Sequence, residues 1–270
     1  MSSHRTGELL EAAVAAAMRA GEIIVKNLGR ISEDDIGLKS ASDFVSRVDV
    51  ESEEMIIRKI REVFPHHHFL AEEGTKESDS EYRWIIDPLD GTTNFIHGYP
   101  IFSVSIALEH EKETVIGVVF DPMRNELFTA EKGRGSFLND LPIRVSGVDT
   151  MERSLITTGF PFRKRDLIDT YLRIFKGLFL KVSDLRRAGS AAIDLSYVAC
   201  GRCEGFFEFG LSPWDMAAGA LIIREAGGIV SDFGGGEDYL QTGNIIAGNP
   251  SIHRYLLQEI REVVDGEVSR

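Results

Sequence analysis

From residue 154 to residue 248 the chain alternates strand-like and helix-like stretches: strand 155–158, helix 167–179, strand 184–187, helix 190–199, strand 205–208, helix 213–226, then strands 228–231 and 245–248. This alternation restricts the fold more than any other feature, because such elements bury their apolar faces as helices layered on a sheet. The earlier part differs. Residues 8–28 and "VESEEMIIRKIREVF" have helical periodicity; Gly29 stops the first, and Met55, Ile56, Ile60 and Val63 share one face of the second, with Pro65 beyond it. A strand at 69–71 runs into Glu72, Glu73 and Gly74, and a polar loop follows. The stretches "WII", "FSVSIALEH", "TVIGVVFD" and "NELFTAEKG" then read as strands, the later ones separated by turn signals such as "KGRG" and "ND". The expectation is two helices on an antiparallel or mixed sheet over residues 1–150 and an α/β half over 151–270. No Pro/Gly/Ser-rich linker, internal repeat or low-complexity tract separates the halves, so they should form one compact unit.

Charge narrows the partners. Thirty Lys and Arg face 43 Asp and Glu in 270 residues, a formal net charge of −13 and a pI near 5.0, which opposes broad binding to nucleic acid or anionic membrane. No apolar run reaches a membrane span, and charge interrupts the N-terminal alanines, unlike a signal peptide. A cytoplasmic protein is the expectation. Cys200 and Cys203 form a CxxC, but no second ligand pair accompanies them, so two buried thiols at a helix end are expected in place of a zinc site. His66, His67 and His68 are adjacent and cannot converge on a metal along an extended chain; they read as a polar loop. The glycines at 234–236 read as a turn.

The chemistry gathers at element ends. In "WIIDPLDGTTNF" Pro88 cannot continue a central strand, so the chain is expected to turn at Asp87, leaving Asp87 and Asp90 at a strand end. "DG" alone is simply a turn. In "GLSPWDMAAGALIIREAGG" Ser212 is the expected N-cap, Pro213 the first helical residue, and Asp215 an acidic capping-box partner that also suits the helix dipole. "RAGSAAIDLSYVACG" repeats the pattern, with Gly189 for close backbone access and Ser190 as N-cap; free N–H groups at such helix starts suit phosphate. Glu72 and Glu73 follow a strand, or lie in a solvated acidic loop. If Glu72, Asp87, Asp90 and Asp215 converge, their charges repel and protonate unless a hard divalent cation joins them. Two Mg²⁺ ions about 4 Å apart would stabilise the attacking and leaving oxygens of a phosphoryl transfer.

"WIIDPLDGTTNFIHGYP" together with "PWDMAAGALIIREAGG" resembles the paired signature of the inositol monophosphatase family, the Mg²⁺-dependent, lithium-sensitive phosphatases. The resemblance runs from "KSASDFVSRVD" through "FLAEEG" and "GSAA" to "TGNIIAGNP". "FDPMRNELFTA", "TGFPF" and "GRCEGFFEFGLSPWD" are similar to the bacterial suppressor-type branch, whose members can also serve in RNA-related regulation. The resemblance implies an αβαβα five-layer sandwich, usually dimeric. It implies a first Mg²⁺ on Glu72, Asp87 and the Leu89 carbonyl, a second on Asp87, Asp90 and Asp215, and a third, weaker site through water on Glu72. Thr92 and Asp49 would orient or deprotonate the attacking water, and the N–H groups of Gly91 and Thr92 would face phosphate, with no covalent phosphoenzyme. Asp90, Gly189, Ser190, Ala191, Glu208 and Asp215 would meet the substrate; Ser190 keeps the hydroxyl of the threonine found in several relatives. Arg186 and Arg187 would reach a substrate or a subunit interface. The implied activity is hydrolysis of a phosphate monoester, foremost myo-inositol monophosphate, with fructose 1,6-bisphosphate the alternative and nucleotide 3′-phosphates or histidinol phosphate behind it. A different class is a regulatory protein that keeps the catalytic site while a surface binds the transcription or ribosome-assembly machinery.

Overall fold

The computed structural model describes residues 3–40, 43–77 and 80–268. In chain order the elements are α1 (Ser3–Asn27), β1 (Ile36–Ser40), β2 (Asp43–Ser46), α2 (Arg47–Val63), β3 (His68–Ala71), β4 (Tyr82–Asp90), α3 (Thr92–Ile96), β5 (Ser103–His110), β6 (Glu113–Asp121), β7 (Glu126–Glu131), β8 (Gly135–Leu138) and β9 (Leu141–Pro142). The second part holds β10 (Leu155–Thr158), α4 (Ile168–Phe179), β11 (Asp184–Arg186), α5 (Ala191–Ala199), β12 (Gly205–Glu208), α6 (Pro213–Glu225), β13 (Ile229–Ser231), α7 (Tyr239–Thr242), β14 (Ile245–Gly248) and α8 (Pro250–Val268).

Two mixed sheets organise the chain. The first, ordered β3-β4-β5-β6-β7-β8-β9, is antiparallel except where β3 runs parallel to β4; the second, β11-β10-β12-β14-β13, has β10 parallel to both neighbours and β14 antiparallel to its own. The amphipathic α1 and α2 bury Leu9, Ala16, Ile24, Ile56 and Ile60 against one face of the first sheet, with Trp84 and Ile106 opposite. On its other face lie α5 and α6, which have little polar surface because the second sheet covers them from behind. Their alanines allow close approach: a Cβ on Gly117 of β6 would lie 2.8 Å from the Ala218 carbonyl of α6. Beyond the second sheet α4 and α8 pack around Tyr171, Phe207, Ile252 and Leu256. The result is the five-layer αβαβα order that the resemblance implied.

Four expectations change. The chain does not turn at Asp87; β4 continues through Pro88 to Asp90. Pairing with β3 ends at Ala71↔Ile86, and the ladder to β5 shifts between Asp87↔Ser105 and Asp90↔Ser103, so the missing N–H of Pro88 falls in an irregular, one-sided stretch. Of the three histidines read as a polar loop, His66 and His67 do lie in the loop before β3, but the His67 ring is packed, stacking between Phe64 (4.8 Å) and Tyr82 (4.6 Å) with Trp84 Nε1 donating to its Nδ1 at 3.0 Å, and His68 opens β3. The first helix extends back to Ser3. Finally α8 follows residue 248, where no element was expected; Asn249 accepts from the N–H groups of Ser251 and Ile252 at its start. Cys200 and Cys203 are free thiols at the end of α5. Ser78 and Asp79 of the polar loop, and Ala41 and Ser42 of "KSASDFVSRVD", lie outside the described residues. Among the described residues no helix is long and apolar enough to cross a membrane.

Candidate active site

A cavity of about 360 Å³ opens where the ends of β4, β10 and β12 meet the N-termini of α3, α5 and α6. The oxygens of Asp87, Asp90 and Asp215 lie within 4.8 Å of one another in it, all three residues buried. Two come from β4. The bulge around Pro88 lets both face the cavity, although residues three apart in a regular strand point to opposite sides. Asp215 arrives from the first turn of α6, where it accepts the Ser212 N–H at 2.7 Å. The capping role and the place in the cluster are thus compatible, since a carboxylate has two oxygens.

Each acid is held differently. Leu89 N–H donates to Asp87 Oδ1 at 3.0 Å. Asp90 Oδ2 accepts from Ser190 Oγ (2.6 Å) and Ala192 N–H (2.8 Å), which ties β4 to the start of α5, where the helix dipole favours negative charge. Ser190 also caps α5, accepting from Ile193 N–H at 3.3 Å. Glu72 follows β3 and lines the same cavity beside Asp87. Its loop is pinned by the buried Glu53 of α2, which accepts from the N–H groups of Glu73 (2.6 Å) and Thr75 (3.2 Å). Burial, with the charges of Glu72, Asp90 and Asp215, pushes Asp87 well above the ordinary carboxylate range. Burial and the Asp215 charge raise Asp90 to about 7.

Thr92 lies at the cavity, with Asp49 directly behind it. Thr92 Oγ1 donates to Asp49 Oδ1 at 2.8 Å and lies 3.1 Å from the Leu89 carbonyl. Asp49 is 0% exposed, its other oxygen taken by Ser46 N–H (2.8 Å) and Ser46 Oγ (2.5 Å). Burial raises it to about 6 despite those bonds. Gly91 has φ 97°, and a Cβ there would lie 3.0 Å from the Ile101 carbonyl, so glycine is required for the chain to enter α3. The N–H groups opening that turn have no intrahelical acceptors.

Gly189, Ser190, Ala191, Asp194 and Glu208 line the same cavity. Burial followed by the Asp215 charge pushes Glu208 up to about 8. Gly159 leaves room for that side chain, for a Cβ on it would lie 2.0 Å from the Glu208 carboxylate. Arg187 lines the cavity and stacks 5.1 Å over Phe160, whereas Arg186 lies on exposed β11 and donates to the Leu185 carbonyl. Three lining or supporting groups escaped the sequence reading. Arg163 donates to Asp215 Oδ2 at 3.0 Å and pairs with Glu72 at 3.6 Å; Asn94 donates to the carbonyls of Ile101 (2.7 Å) and Ala188 (3.0 Å), bracing α3 against the start of α5; Asp194 is the third. Asn94 lies within "WIIDPLDGTTNF", Asp194 within "RAGSAAIDLSYVACG", and Arg163 directly follows "TGFPF", yet no local pattern singled them out.

Six carboxylates and two guanidinium groups line the cavity, so in their ionised form the carboxylates exceed the protein's own cations by four. All-oxygen donors in that excess fit hard divalent cations and suit phosphate-ester hydrolysis. The fold and this donor set together define a metal-dependent phosphate-monoester hydrolase. Comparison with known proteins agrees: residues 6–265 match the inositol monophosphatase family. The Nus factor SuhB of Escherichia coli K12 is 47% identical over 264 residues, 97% of this chain and 99% of that protein. Among solved structures, the extragenic suppressor protein SuhB from Bartonella henselae superposes with a TM-score of 0.91 at 44% identity, covering 94% of this chain and 98% of that one. An IMPase of Thermotoga maritima gives 0.88 at 35% identity, over 96% and 99%. The chain belongs to the inositol monophosphatase family and groups with its bacterial SuhB-type branch.

Proposed function

We propose that this protein hydrolyses phosphate monoesters of polyols, inositol monophosphate first among them, with two or three Mg²⁺ ions held by Glu72, Asp87, Asp90, Asp215 and the Leu89 carbonyl. The observation that carries this reading is the excess of carboxylates over cations in the cavity, with three buried aspartates whose oxygens lie within 4.8 Å of one another. When bound, the cations supply Lewis-acid polarisation of the phosphate and offset the charge developing on the leaving oxygen. The chain's own groups do the rest. Because the Thr92 hydroxyl gives its proton to Asp49, its oxygen is left as an acceptor that orients the attacking water. Asp49, raised to about 6, stands behind it as the proton's resting place. The N–H groups of Gly91 and Thr92 face the phosphate; Glu208, Gly189, Ser190 and Ala191 face the alcohol, with Asp90 and Asp215 between.

Phosphate release from inositol 1-phosphate, fructose 1,6-bisphosphate and glycerol 2-phosphate, with Mg²⁺ and with EDTA, tests the reading. Activity should require Mg²⁺ and fall away in Asp90→Asn while circular dichroism is unchanged. Full activity in EDTA would overturn it.

A second reading concerns what the cell uses the protein for. Relatives 47% identical along nearly the whole chain carry the name Nus factor, which favours a regulatory role over inositol metabolism as the physiological task. We propose that a surface of this protein binds the transcription machinery and that the phosphatase site is retained beside it. Co-sedimentation with transcription complexes from native extract, for the parent and for Asp90→Asn, tests this: both should co-sediment. Absence of both from those fractions overturns it.

A further inference from the structure

The roles proposed above leave one buried acid of the cavity without a task. Asp194 lies in the first turn of α5, is 2% exposed and lines the cavity together with Glu208. Among the described residues neither carboxylate receives a hydrogen bond, although Asp49, Asp87, Asp90 and Asp215 in the same region all do. The start of a helix explains a negative residue there. It does not explain why this carboxylate, unlike its neighbours, receives no donor from the protein; its oxygens are not sealed in the core but open to the cavity, where a ligand can reach them. Glu208 is the foremost charge acting on Asp194, and Arg187 is the cation that opposes both. Burial and the Glu208 charge push Asp194 well above the ordinary carboxylate range.

We propose that Asp194 is a specificity-determining residue which, with Glu208, accepts hydrogen bonds from two hydroxyls of the alcohol portion of the substrate. The inference rests on the phosphomonoesterase reading above and deepens it. Two acceptors in one cavity, with the guanidinium of Arg187 beside them, match a ring bearing several hydroxyls. They disfavour a simple alkyl or aryl alcohol, which would leave both unpaired. A site built on unsatisfied acceptors discriminates strongly against analogues that lack the donor.

The test compares kcat/KM for inositol 1-phosphate with that for 4-nitrophenyl phosphate, for the parent, Asp194→Ala, Asp194→Asn and Glu208→Ala, all with saturating Mg²⁺. Asp194→Ala should lose about ten- to a hundred-fold more on the polyol ester than on the aryl ester, mainly through KM. Glu208→Ala should share that signature, and the double variant should lose less than the product of the two. If Asp194→Ala fails to fold, Asp194→Asn carries the test, since it keeps the shape and removes the charge. Equal losses on both esters, in a variant with parental circular dichroism, would overturn the inference and leave the phosphatase reading standing. A parent that releases phosphate from neither ester with Mg²⁺ overturns both.

Discussion

At the scale of the residue, the informative pair is Thr92 and Asp49. Both were named in the sequence, yet nothing there says that one stands behind the other. The 2.8 Å bond supports the proposal that Asp49 acts through the Thr92 hydroxyl. Thr92→Ala should therefore lower kcat about tenfold or more with little change in KM, and Asp49→Asn should follow it in direction. Steady-state kinetics on one substrate decides this; a change confined to KM would assign the hydroxyl to binding. Arg163 makes a second case. Its guanidinium places a positive charge 3.0 Å from Asp215 and 3.6 Å from Glu72, where it opposes an incoming cation. Arg163→Gln should tighten Mg²⁺ binding several-fold by calorimetric titration, an expectation of sign from Coulomb repulsion. Weaker binding would mean that Arg163 organises the carboxylates instead of competing for them.

At the scale of the element, the start of α5 joins structure to chemistry. Ser190 caps the helix through Ile193 N–H and holds Asp90 at 2.6 Å, so one hydroxyl serves both the local fold and the acid cluster. Ser190→Ala should cost about 1–2 kcal/mol, the usual range for a lost cap and a hydrogen bond to a charged group. Ser190→Thr should cost less than the alanine because it keeps the hydroxyl. Urea unfolding with EDTA measures both, and equal midpoints for alanine and threonine would contradict the double role. Elements also show how much was legible. The strand and helix sequence from 155 to 248 was readable because periodicity and caps act over a few residues. Pro88 misled because its effect on a strand depends on what lies beside it: β3 ends at Ala71, so β4 continues past Ile86 with β5 as its one neighbour, across a register shift.

At the scale of the molecule, the two sheets bring acids from residues 49 to 215 together at a cost in electrostatic free energy. Burial raises Asp49 to about 6, Asp90 to about 7 and Glu208 to about 8. Folded values above unfolded ones mean that the folded state binds more protons. The resulting stabilisation is complete below the unfolded values of 3.8 and 4.5 and is lost as pH rises through 6 to 8. In EDTA the melting temperature should fall from about pH 5 to about pH 8, and the rise produced by Mg²⁺ should be larger at the upper end, where protons no longer compete for the ligands. Scanning fluorimetry across that range checks it. A Mg²⁺ shift that grew toward acid pH would refute the assignment of Asp90 to the cation.

The sequence by itself determined the layered architecture, the order of most elements and the acids that gather at their ends, because apolar period, N-caps and turn residues are short-range properties. It also carried the family motifs. Only the tertiary structure decided that Asp87, Asp90 and Asp215 share one space while Asp49 sits behind Thr92. It also decided that Arg187 and not Arg186 faces the cavity, that Arg163 reaches Asp215, and that Asp194 and Glu208 line the cavity without donors. Those facts depend on register and packing between residues up to 128 positions apart in one cluster, Asp87 and Asp215. No local pattern encodes which way a side chain points once two sheets and three helix ends have closed around it.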